Sequence, residues 1–151
     1  MTITLEVVKA EQEKLATMIA ALEAEANKPT FFEYGGQLFP LKRGEIYVGT
    51  IITPSIKFHL TKLPGESNPG PWKDVNDWAL AQGGELFDRV EGALLFQHLK
   101  AEFKEEAYWT RETRKNDTAY AWYQYFGNGY QNLSLKGSKL RGVAVRRLVF
   151  Q

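Results

Sequence analysis

Between Ala121 and Asn132 the chain carries Trp122, Tyr123, Tyr125, Phe126 and Tyr130 around a Gly127-Asn128-Gly129 turn. A dense aromatic run that meets an Asn-Gly pair is the signature of a β-hairpin. This is the strongest constraint on the fold, because side chains alternate across a strand. Tyr120, Trp122, Gln124 and Phe126 share one face, and Ala121, Tyr123 and Tyr125 the other. Trp122 and Phe126 are the expected core side. Tyr123 and Tyr125 are then expected to point outward, beside Tyr130 and Asn132 beyond the turn. A last strand follows, in which Val143 and Val145 share a face with Arg141 and Arg147.

Charge sharpens this picture. The net charge is only +1, so the whole chain does not read as a nucleic-acid binder. From Thr118 to Gln151, however, there is no Asp or Glu, while Lys136, Lys139, Arg141, Arg146 and Arg147 are all present. Such a run is ordinarily a solvated face. The sharper alternative is a patch that attracts a sulfated sugar, a nucleic acid or an acidic protein. Four Trp, seven Tyr and nine Phe exceed what a minimal core requires, and exposed Tyr beside Arg is the composition of binding hot spots. The expected binding residues are therefore Tyr123, Tyr125, Tyr130, Asn132, Lys136, Arg141 and Arg147.

The N-terminal segment has a different character. Leu5, Val8, Leu15, Met18, Ile19 and Leu22 recur at helical spacing, with Gln12 at a stripe position, and Pro29 ends the pattern. Two readings stay open. The helix packs on its own domain, or its narrow stripe is the seam of a short coiled coil of two or three chains. The second predicts a homo-oligomer through residues 1–28, followed by one domain over 29–151.

Residues 45–53 and the alternating Ile56, Phe58 and Leu60 read as strands, and residues 30–42 as extended around Gly35-Gly36. A short helix is expected from Asp74 to Gly83-Gly84. Asp88 and Glu91 form a capping box for another. Strands flanking two short helices indicate an α+β fold.

Catalytic and metal-binding patterns are absent from the sequence. There is no cysteine, and His59 and His98 have no partner at ligand spacing. Asp74, Asn76 and Asp77 lack the glycine and distal glutamate of a calcium loop, and capping is their expected role. No serine lies in a nucleophile elbow. The expectation is a non-enzymatic protein with no cofactor and no metal. The N-terminus lacks the features of a signal peptide, and no apolar stretch reaches membrane-span length.

An ordered set of motifs resembles the Lcl C-terminal domain family in its short phage and prophage form. The set comprises Trp72, Trp78-Ala79, Gly83-Gly84-Glu85-Leu86, Leu94-Leu95, Tyr108-Trp109-Thr110, Ala121-Trp122, Phe126, Gly129-Tyr130, and Arg141 through Arg147. The resemblance covers roughly residues 44–149. The chain departs from the family pattern at Leu86-Phe87-Asp88 and at Thr110-Arg111-Glu112. The resemblance implies a C-type lectin-like domain with two short helices and a C-terminal antiparallel strand set. It also implies a binding role toward a host protein or glycan, a polyanion among the candidates, without calcium-dependent sugar recognition. A phage-encoded binding module in the host cytoplasm or on the virion follows. A virion or tail component and an intracellular accessory protein acting on host defence or nucleic acid are the alternatives.

Overall fold

The computed structural model describes residues 3–151. Contacts divide the chain into two compact units, Met1–Arg43 and Gly44–Gln151.

The first unit begins with helix α1, Leu5–Ala26. Thr4 caps it, its Oγ1 accepting the Val7 N–H at 3.3 Å. No residue of the helix is buried. Strands β1 (Thr30–Tyr34) and β2 (Gln37–Leu41) pair antiparallel, with Tyr34 opposite Gln37. The intervening Gly35 and Gly36 have φ of 59° and 78°. Positive φ at both positions is what a two-residue hairpin turn demands. Phe32 and Phe39 face each other across the ladder and stack with centroids 5.1 Å apart.

The second unit is α+β. Its larger sheet contains β3 (Ile46–Ile52), β4 (Lys57–Lys62), β5 (Glu85–Leu86) and β9 (Ala144–Val149). Their order is β3-β4-β9-β5, all antiparallel, so the final strand lies in the middle. The second sheet is the meander β6 (Ala107–Thr113), β7 (Tyr120–Tyr125) and β8 (Gln131–Leu135). Helices α2 (Trp72–Ala81) and α3 (Arg89–Leu99) complete the unit.

The capping box of α3 forms as the sequence predicts. Asp88 Oδ1 accepts the Glu91 N–H, and Glu91 Oε1 accepts the Asp88 N–H, both at 2.8 Å. Helix α2 starts earlier than expected, at Trp72, with Pro71 at the cap position and no side-chain cap. Asp74 therefore sits in the first turn rather than capping it. There its charge still favours the positive end of the helix dipole.

Two cores share this unit. One gathers Leu60, Phe87, Leu95, Tyr108, Phe126, Val143 and Val145; the other gathers Leu63, Val75, Ala79, Leu86, Trp109, Ala121 and Ala144. Successive residues of one strand enter opposite cores: Ala144 and Val145 on β9, Tyr108 and Trp109 on β6. On β4, Phe58 and Leu60 enter the first core, while on the other face His59 stacks on Phe150 and Thr61 donates to the buried Glu45, so Phe58 through Lys62 are all buried where the sequence suggests alternation. A strand covered on both faces has no exposed side for its side chains to alternate with.

Candidate functional site

The predicted face residues do not form one surface. Tyr130 and Asn132 are exposed past the β7–β8 turn, where the Asn132 amide donates to the Tyr130 hydroxyl. That turn is a four-residue loop, closed by Tyr125 N–H donating to the Tyr130 carbonyl at 2.7 Å. Tyr125 is half-buried, its ring folded over Gly127. Lys136 lies elsewhere, its Nζ 4.5 Å from the centre of the Trp72 ring.

Two of the predicted cations are held in ion pairs. Arg147 binds Glu91 through Nε and Nη2, both at 2.6 Å, and Glu85 through Nη1 at 2.7 Å. Burial disfavours the Arg147 charge, but Glu91 and Glu85 more than offset it and hold its pKa above the ordinary value. Arg141 pairs with Glu66 and Glu106. Arg146, the neighbouring cation, forms a bidentate pair with the buried Glu45 at 2.6 Å. The carboxylate partners of these arginines come from residues 45–106, and nothing local in the sequence points to them.

The predicted orientation of β7 needs correction over its first half. Ala121 is fully buried, and Tyr123 packs against the second core with Trp72 and Trp78. Trp122 is only half-buried, on the opposite face. The expectation holds for Phe126, which is fully buried and stacks on Phe103 with centroids 3.9 Å apart. The physical reason is a change of cover along one face. Near Gln124 and Phe126 the even-numbered face meets α3 and the first core. At Tyr120 and Trp122 that cover has ended, while Trp72 and Trp78 of α2 cover the odd-numbered face.

What remains open is a strip that the sequence reading placed inside. Across the β7–β8 ladder, Tyr120 pairs with Leu135 and Trp122 with Leu133. Leu135 is 53% exposed. The Arg89 guanidinium lies 3.6 Å from the Trp122 ring centre, and that of Arg114 lies 5.6 Å from Tyr120. Arg89 also donates from Nε to the Gln131 amide oxygen at 3.2 Å, which fixes it over the ring. Both arginines are exposed. Among the described residues neither forms an ion pair, in contrast to Arg111, Arg141, Arg146 and Arg147. The guanidinium groups of Arg89 and Arg114 thus lie over aromatic rings of β7, with the Glu112 carboxylate accepting the Arg89 backbone N–H at 2.7 Å.

A separate groove of about 690 Å³ runs between Ile51, Ile56 and Phe58 on one side and Gly83, Gly84 and Val90 on the other. Its polar wall is the Arg111–Glu85–Arg147 network, with Asp88 3.5 Å from Arg111. These charges satisfy one another, so the groove offers apolar contact without net attraction for either sign.

One further polar cluster joins Tyr108, Glu66, Lys104 and Arg141. The Tyr108 hydroxyl donates to Glu66 and accepts the Lys104 N–H at 3.0 Å. Burial first, and the Glu66 hydrogen bond second, push the phenol well above its ordinary pKa. Burial alone would raise Glu66, but Tyr108, Lys104 and Arg141 outweigh it and hold the carboxyl below its usual range. A neutral phenol locked to an ionised carboxylate ties the 63–71 loop to β6; it supplies neither a free base nor a free nucleophile. His59 is buried in β4, with Nδ1 2.8 Å from Thr50 Oγ1 and its ring stacked on Phe150 at 4.2 Å. Among the described residues no three His, Asp or Glu side chains are grouped to hold a metal ion, and no helix is long and apolar enough to cross a membrane. No family model, no curated protein and no solved structure matches the chain.

Proposed function

We infer that this protein is a non-enzymatic binding module, phage-encoded, that recognises an anionic host protein or glycan. Within the domain over 29–151, roughly residues 44–149 are read as a C-type lectin-like domain of the Lcl C-terminal type. The ordered motifs support that reading, as do the two helices and the antiparallel strand sets. The N-terminal helix joins copies of the chain.

The observation that carries the binding role is the Arg89–Trp122 and Arg114–Tyr120 surface. Aromatic area and a cation held in place offer contact at low entropic cost. Elsewhere on the C-terminal strands Arg141, Arg146 and Arg147 already have carboxylate partners. Among the arginines of this unit, an incoming anion therefore gains most at Arg89 and Arg114. Tyr130, Asn132 and Lys136 contribute at the margins in this reading, and Tyr123, Arg141 and Arg147 act by supporting the fold.

Retention on immobilised heparin, a sulfated glycan, provides the test. The intact protein is expected to elute at clearly higher salt than an Arg89→Gln/Arg114→Gln variant of equal melting temperature. Coincident elution of the two would refute the assignment of this surface.

A further inference from the structure

Helix α1 leaves Leu5, Val8, Leu15, Ile19 and Leu22 between 41% and 69% exposed, and none of its residues is buried. A face this apolar, left uncovered over 22 residues, calls for a partner. The spacing identifies the kind of partner. Leu5, Gln12 and Ile19 fall seven apart, and Val8, Leu15 and Leu22 fall seven apart, offset by three. This is an unbroken heptad repeat with a positions 5, 12, 19 and d positions 8, 15, 22, the pattern by which a helix packs on helices like itself.

We propose that α1 forms a parallel, in-register, two-stranded coiled coil with a second copy of this chain, and that Gln12 sets its alignment. The proposal rests on the self-association reading above and adds its geometry. In a parallel pair Gln12 meets the Gln12 of the second copy, and the two amides satisfy each other. In the antiparallel alignment that brings Lys9 beside the second copy's Glu23, Gln12 lies against Leu22 and Glu11 beside Glu25. That arrangement buries an unpaired amide and sets like charges together. Over residues 15–22, Ile19 at an a position with Leu15 and Leu22 at d positions favours two strands, while the terminal Leu5–Val8 turn has the reverse order. Both chains leave such a coil at the same end, after Ala26. Two binding domains are then tethered together, and a partner carrying repeated anionic groups is held with avidity.

The chain has no cysteine, so single cysteines report geometry cleanly. Leu22→Cys tests the seam, and Ala24→Cys, on the outer face of the same helix, is the control. In the parallel pair the two residues 22 lie within disulfide reach, whereas the antiparallel alignment separates them by about 15 Å. Light scattering at tens of micromolar is expected to give twice the 17.2 kDa chain mass. In a glutathione buffer the Leu22→Cys protein is expected to cross-link at least about tenfold faster than the Ala24→Cys protein. A doubled mass with equal cross-linking would overturn the parallel arrangement and leave self-association standing. A three-chain mass would overturn the two-stranded state. A single-chain mass would remove both the geometry and the self-association beneath it.

Discussion

The contrast between Trp122 and Phe126 shows what a single residue's surroundings decide. Both are large aromatics on the same nominal face of one strand. Phe126 stacks on Phe103 inside the first core, so Phe126→Ala is expected to cost about 3–5 kcal/mol. Trp122 is half-exposed beneath Arg89, and its cation–π contact is worth only about 0.5–1 kcal/mol at such a site. Trp122→Ala should therefore lower stability far less than Phe126→Ala in denaturant titrations, while weakening heparin retention. Equal losses of stability would place Trp122 in the core after all. Glu91 gives a second test. Its carboxylate is fully buried and doubly bonded to Arg147. Removing one partner of a buried pair strands the other charge, at a cost of about 3–5 kcal/mol. Since Glu85 remains on Arg147, Glu91→Ala is expected near the lower end of that range by the same measurement.

At the scale of elements, the sequence was most legible where one local pattern decides. The helical spacing of α1, the Gly35-Gly36 hairpin and the Asp88–Glu91 box are all local, and the helix, the hairpin and the box all form. Pairing across distance was not legible. Nothing near residues 144–149 indicates that this strand lies between β4 and β5. The alternation of β7 was readable, but which face lies inward was not, because α2 and α3 cover different halves of it. The same limit hid Arg89 and Arg114, whose role depends on rings brought beside them by the fold. Gly84 marks one of these distant contacts. A Cβ there would lie 2.4 Å from the Val145 carbonyl oxygen, below any tolerable contact. Gly84→Ala should thus force β5 away from β9 and lower the melting temperature markedly. An unchanged melting temperature would show that this strand pair yields easily.

Over the whole molecule, acid should act in two stages. Burial lowers the His59 pKa from its ordinary 6.5. The unfolded chain then binds the proton more readily, so stability is complete above about pH 6.5 and falls as pH drops below it. Glu66, held below its ordinary 4.5, contributes stability that is present above that value and lost as pH falls further. Thermal melts from pH 8 to pH 4 should show the first decline, and His59→Gln should flatten its onset below the ordinary 6.5. A decline of the same slope in the variant would assign it to other groups.

The central claim is that the cations of Arg89 and Arg114, held over the Trp122 and Tyr120 rings of β7, recruit an anionic partner. The logarithm of heparin affinity against the logarithm of salt concentration measures how many cations participate. Each contact contributes about one to that slope. Relative to the intact protein, Arg89→Gln/Arg114→Gln is expected to reduce the slope by about two, with the melting temperature preserved. A slope that is unchanged in the double variant would contradict the account.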